Sequence, residues 1–110
     1  MYYNYEKAMK ITIPAVRAAV SVDLDRNHKM SETDIAKSLG IAQAAVSKYL
    51  SGNYSKKIGS LVKFIESKNL QKEAVGAILS KKGGDYIMNR IDSIASDKSL
   101  VKIALGSRIG

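Results

Sequence analysis

The stretch IAKSLGIAQAAVSKYLSG, residues 35–52, contains two short amphipathic segments separated by a glycine. In the first segment the aliphatic residues share one helical face, where the small Ala36 lets a second helix approach closely. Gly40 permits the positive φ that ends a helix and turns the chain sharply. We therefore expect a helix over about 32–39, a tight turn, and a second helix over about 42–51.

The second helix has two different faces. Placing residues every 100° puts five of them within an arc of about 140° that suits a core, namely Ala42, Ala45, Val46, Tyr49 and Leu50. The opposite arc holds Gln43, Ala44, Ser47 and Lys48. This second face is small, polar and basic, and it carries no carboxylate. It suits a DNA major groove, where glutamine pairs with adenine, an alanine methyl contacts thymine, and serine or lysine reaches bases or phosphates.

The motif resembles the helix-turn-helix of lambda repressor-like (Xre/Cro-type) transcriptional regulators. The spacing of Ala36, Gly40 and Val46 matches the small residue, turn glycine and buried aliphatic residue of that family. The resemblance implies an all-α, lambda repressor-like helix-turn-helix bundle, here with additional C-terminal helices. It also implies a sequence-specific regulator of transcription that binds double-stranded DNA through the helix around 42–51.

A second segment extends the resemblance towards the N-terminus. IPAVRAAV, residues 13–20, is similar to the start of a set of predicted archaeal regulators, in which Pro-x-x-Arg, here Pro14 and Arg17, opens the first helix. The resemblance thus covers about residues 13–66. We expect a first helix over about 14–26, because proline is favoured in a first helical turn.

The resemblance also assigns residues to the two kinds of DNA contact. Position by position, the base-contacting residues are Gln43, Ala44, Ser47 and Lys48. The residues expected at the DNA backbone are Ser31, Thr33, Tyr54, Ser55, Lys56 and Lys57. Two alternatives remain open: a helix-turn-helix that serves only as a packing element, and lysines that belong to a solvated helix start.

The remainder of the chain is also predicted to be helical. Apolar spacing indicates helices around 58–65, over 70–81, after a cap at Asp85, and over 97–105. No period-2 run that would indicate a strand is present. We divide the chain into an N-terminal arm (1–12), a helix-turn-helix DNA-binding domain (13–68) and a C-terminal helical region (69–110).

The C-terminal region contains more aliphatic residues than a small helical tail requires. They are Val75, Ile78, Leu79, Ile87, Ile91, Ile94, Leu100, Val101 and Leu105. This surplus predicts a homodimer formed through these helices. The alternative is an antitoxin-like or bridging interaction protein that binds another protein through the same helices. The tyrosines at 2, 3 and 5 are expected to form an arm that packs on the body or on a partner, or that enters the minor groove.

Composition supports an anionic partner and excludes several classes of site. Eighteen Lys and Arg against ten Asp and Glu give a net charge of +8 and a pI near 9.7. The chain has no cysteine and one histidine, His28, so thiolate chemistry and a histidine-based metal cluster or triad are excluded. We expect no enzyme activity and no cofactor, and the sequence identifies no effector. No signal peptide or membrane-spanning run is recognisable, which predicts a cytoplasmic protein.

One segment imitates a calcium loop. DLDRNHKMSETD, residues 23–34, places oxygen-bearing side chains at the first, third, fifth, ninth and twelfth positions, as an EF-hand does. The sixth position, which requires glycine, is His28, and the twelfth is Asp34 rather than a bidentate glutamate. Ser31 and Asp34 also form the pattern of a capping box for the next helix. We therefore predict helix ends here and no metal site.

Overall fold

The computed structural model describes the backbone of residues 2–106 and the side chains of residues 4–106. These residues form seven α-helices and no strand, which confirms the all-α prediction. The helices are α1 (Tyr2–His28), α2 (Glu32–Leu39), α3 (Gln43–Ser51), α4 (Lys56–Ser67), α5 (Lys72–Leu79), α6 (Gly84–Ala95) and α7 (Lys98–Ala104). None of them combines the length and the apolar character that crossing a membrane requires.

Helix α1 is longer than the sequence indicated. It begins at Tyr2 and continues through Pro14, so residues 2–12 are its first turns and not a separate arm. Proline in a helix interior removes one backbone hydrogen bond and is costly. Packing outweighs this cost, because Ala8, Thr12 and Ala15 on either side of the proline turn are fully buried. Tyr5 is 44% exposed on this helix, and the side chains of residues 1–3 lie outside the described part.

The long helix is the centre of the molecule, and each of the other six helices packs against it. The largest fully buried aliphatic side chains come from both halves of the chain and include Leu24, Ile35, Leu61, Ile65 and Leu100. All of them belong to a single hydrophobic core. The predicted domain boundary between residues 68 and 69 therefore does not separate two hydrophobic cores, because residues on both sides of it share one core.

The aliphatic residues of the C-terminal region mostly contribute to that same core. Val75, Ile78, Ile87, Ile91 and Leu100 are buried, and Ile94 and Val101 are half-buried against them. The expected surplus of apolar surface is thus largely used within the chain. Among the described residues, the large apolar side chains that remain exposed are Tyr5, Leu79, Tyr86, Met88 and Leu105.

The last two helices begin in different ways. Asp97 caps α7, because its carboxylate accepts hydrogen bonds from the amides of Ser99 (2.9 Å) and Leu100 (3.4 Å). Helix α6 has Gly83 at its N-cap and no side-chain cap. The expected cap residue, Asp85, lies in the first turn instead, where its negative charge interacts favourably with the positive end of the helix dipole.

Candidate nucleic-acid interface

Helices α2 and α3 are joined by a tight turn at the predicted glycine. Gly40 has φ 67° and ψ 34°, in the left-handed region, and the amide of Ile41 donates to the Ala36 carbonyl at 3.1 Å. Ser31 caps α2 by accepting from the Asp34 amide at 3.1 Å. The sequence-based boundaries agree for α2 and differ by one residue for α3, whose N-cap is Ala42.

The core contacts of this helix pair determine which side of α3 faces solvent. Ile35, Ala36 and Leu39 of α2 and Val46 of α3 are buried. Ala45, Tyr49 and Leu50 are half-buried, whereas Ala42 is exposed because it precedes the first helical turn. The opposite face consists of the four predicted base-contacting residues, all of them exposed: Gln43, Ala44, Ser47 and Lys48. The structure thus brings these four side chains together on one open surface.

Thr33 lies beside this surface and contacts it. Its hydroxyl Oγ1 donates to Oε1 of Gln43 at 3.4 Å, across the turn between α2 and α3. This distance exceeds the usual range of about 2.5–3.0 Å for a hydroxyl donor, so the hydrogen bond is weak. It leaves the Nε2 group of Gln43 free to donate outward. The sequence assigned Thr33 to a phosphate and missed this contact. The pairing depends on the angle between two helices, and no local pattern reveals that angle.

The predicted backbone-contacting residues after α3 have different surroundings. Ser55 caps α4 by accepting from the Ile58 amide at 3.2 Å, and Tyr54 is half-buried over Gly59. Lys56 is exposed and has no hydrogen bond or ion pair within residues 4–106. The ammonium of Lys57 instead donates to the carbonyl of Ala104 at 3.1 Å, at the end of α7. Of the two lysines, only Lys56 is therefore free to reach a phosphate without losing a contact.

The charges around α3 favour an anion. Its sequence contains no carboxylate, and Lys48 is exposed on the outward face. The nearest acidic residues in the chain, Glu32 and Asp34, lie in the first turn of α2. Between residues 29 and 63 these two acidic residues face six lysines. This part of the chain is thus basic, and its two acidic side chains lie at one helix start. Outside it in sequence, Glu66 lines a groove beside Tyr49 and Leu50, at the end of α3.

The segment that imitates a calcium loop is helical in its first half, since residues 23–28 complete α1. Asp23 uses both carboxylate oxygens within the fold: Oδ1 accepts from Asn27 at 2.8 Å and Oδ2 accepts from Gln71 at 3.1 Å. The His28 ring nitrogen Nε2 lies 3.8 Å from the same carboxylate. Within the described residues, no three His, Cys, Asp or Glu side chains are grouped as metal ligands.

No protein-family model matches the chain, and no significant match was found among curated proteins or solved structures.

Proposed function

We propose that the protein is a sequence-specific transcriptional regulator that binds double-stranded DNA. In this proposal α2 and α3 form a lambda repressor-like helix-turn-helix, and α3 enters the major groove. The observation that carries the proposal is the exposed face of α3, where Gln43, Ala44, Ser47 and Lys48 lie together without a carboxylate. The proposed function involves no catalytic step and no cofactor, and it is exercised in the cytoplasm.

Each group on this face has a partner in the major groove. The Gln43 amide can accept from N6 of adenine and donate to N7, and the donor it needs is the Nε2 group that Thr33 leaves free. The Ala44 methyl suits a thymine methyl. Ser47 accepts or donates to a base edge, and Lys48 donates to guanine or to a phosphate. These contacts would supply the sequence preference.

Contacts to the DNA backbone would come from both sides of α3. Ser31 would donate its hydroxyl to a phosphate despite the carboxylates of Glu32 and Asp34 in the first turn of α2. The N-terminus of α4 beside Ser55 has no carboxylate in its first turn and favours a phosphate. Lys56, exposed in the first turn of α4, adds a positive charge next to Ser55. These contacts would fix the orientation of α3 and make the affinity depend on salt.

Selection from a random duplex pool, followed by affinity measurements on Gln43→Ala, tests the proposal. We expect the variant to lose about 1–3 kcal/mol at the selected site and to tolerate other bases at one position, with non-specific affinity unchanged. The matched control is Asn4→Ala, which removes an exposed amide from α1, outside the face of α3 and outside the apolar surface of α5 and α6. Failure to enrich any sequence, or an equal loss for every sequence in Gln43→Ala, would contradict the assigned role.

We further propose that the regulator is a homodimer. One recognition helix reads only a few base pairs, and two-fold dimers of this motif place their helices about 34 Å apart on a pseudo-palindromic site. The remaining exposed apolar side chains of α5 and α6, namely Leu79, Tyr86 and Met88, are the candidates for the contact. The same side chains would serve the alternative function, in which the C-terminal helices bind a different protein.

A further inference from the structure

A cavity of about 230 Å³ lies between α1, the end of α2 and the start of α6, outside the proposed DNA interface. Its apolar lining comes from the buried residues Leu39, Ile87 and Ile91, and the half-exposed Met88 lines it too. The volume is below the range of about 300–1,000 Å³ that drug-sized ligands occupy. The cavity therefore suits a small metabolite with an apolar part.

Arg17 gives this cavity a specific polar group. Its Nε atom is buried and has no hydrogen-bond partner within the described residues. The Nε atom has no accessible surface, so the terminal amino groups of the guanidinium, which are not buried, are the part of Arg17 that a ligand in the cavity would meet. Lys37 lines the same cavity and adds a second cation. A carboxylate is the acceptor that best matches a guanidinium group with an ammonium nearby.

Asp85 adds the opposite charge to the lining of the same cavity. Neither Asp85 nor the two cations of the cavity form an ion pair within the described residues. Gly40 and Gly84, both exposed, also line it, and a Cβ at either position would meet no atom within 4 Å, so the cavity is open to solvent beside the charged groups. Cations, a carboxylate and an apolar surface thus converge on one small space.

We propose that this cavity binds a free α-amino acid with an aliphatic or aromatic side chain. The ligand carboxylate pairs with Arg17 and Lys37, its ammonium group pairs with Asp85, and its side chain covers Leu39, Ile87 and Ile91. The site goes beyond the proposed DNA binding and does not rest on it. Because Gly40 belongs both to the cavity and to the turn before α3, a bound ligand would lie beside the turn that joins α2 to α3.

Calorimetric and thermal-shift titrations of the intact protein without DNA test the proposal. The probes are L-leucine, L-methionine and L-phenylalanine, compared with 4-methylpentanoate, which lacks the ammonium group, and isopentylamine, which lacks the carboxylate. We expect saturable binding of at least one amino acid, with a melting temperature that rises with its concentration. Both partial analogues should bind at least about tenfold more weakly.

Two variants identify the location of binding. Arg17→Gln should weaken the binding of the amino acid and of 4-methylpentanoate by about tenfold or more. Asp85→Asn should weaken the binding of the amino acid by a similar factor and leave the binding of 4-methylpentanoate unchanged. The control is Lys10→Gln, which removes an exposed cation of α1 outside the cavity. Asp85 is exposed, so its variant remains informative if Arg17→Gln fails to fold. The proposal would be overturned if none of the three amino acids showed saturable binding, or if 4-methylpentanoate bound as tightly as L-leucine. It would also be overturned if the Asp85→Asn variant bound the amino acid as tightly as the parent protein does.

Discussion

Replacing Lys57 by methionine should destabilise the fold, whereas the same replacement of the adjacent Lys56 should weaken DNA binding. Lys57 donates to the Ala104 carbonyl at 3.1 Å, where a cation also meets the negative end of the α7 dipole. Hydrogen bonds from charged donors contribute about 1.5–3 kcal/mol, but the side chain is exposed and solvent screening reduces this to about 1 kcal/mol. Methionine preserves the packing of the aliphatic stem, so the difference reports the ammonium group.

Thermal denaturation followed by circular dichroism measures the first effect. A loss of about 1 kcal/mol in a domain of this size lowers the melting temperature by roughly 4 °C. The second effect is measured as the slope of log affinity against log salt on the selected duplex. Lys56→Met should make this slope shallower by about 0.9 per lost phosphate contact, and Lys57→Met should leave it unchanged. If Lys57→Met melts like the parent protein and flattens the salt slope, the reasoning is refuted.

The remaining predictions concern the amide on α3, the imitation of a calcium loop, and the oligomeric state. Thr33→Val removes the hydroxyl that contacts Gln43, and we expect about 0.5 kcal/mol less discrimination at the base position assigned to Gln43. Equal discrimination by parent and variant would make the 3.4 Å contact irrelevant. Millimolar calcium should leave the melting temperature unchanged, and a rise abolished by Asp23→Ala would instead reveal a site. Light scattering should show a dimer that Tyr86→Glu converts to a monomer; a monomeric parent protein would contradict the proposed assembly.

That dimer test uses a surface substitution because a truncation would be uninformative. Ending the chain near Lys82 would remove α6 and α7, including the buried Ile87, Ile91 and Leu100. The shortened chain would expose the side of α1 that these helices cover. Its behaviour in light scattering would therefore report loss of the core and not loss of a dimer contact.

Local signals made the central helices predictable from the sequence. Ser31 and Gly40 mark helix ends in the sequence, and they are the N-cap and the C-cap of α2 in the structure. The apolar spacing around 58–65 predicted α4, and the spacings over 70–81 and 97–105 predicted α5 and α7. The orientation of Gln43, Ala44, Ser47 and Lys48 followed from helical periodicity alone. These features depend on neighbours within about four residues, which a single sequence shows.

Features that depend on distant partners were not predictable. Pro14 reads locally as a helix start, but burial of Ala8 and Thr12 against other helices extends α1 to Tyr2. The contact between Lys57 and Ala104 joins residues 47 positions apart, and no spacing rule indicates it. The C-terminal aliphatic residues showed that a partner surface was needed, yet the pattern did not reveal that α1, together with α2 and α4 of the same chain, supplies it.

The central position of α1 has a consequence for synthesis of the protein. Helix α1 leaves the ribosome before the six helices that cover it, and α7 ends at Ala104, some 76 residues after His28. At a synthesis rate of about 5–20 residues per second, roughly 4–15 s pass between the synthesis of His28 and that of Ala104. Its buried face combines the larger Val16, Val20 and Leu24 with four alanines, Ala8, Ala15, Ala18 and Ala19, which expose little apolar area before the later helices are made. A nascent chain with larger aliphatic residues at these positions would offer a chaperone, or another nascent chain, a stronger binding site.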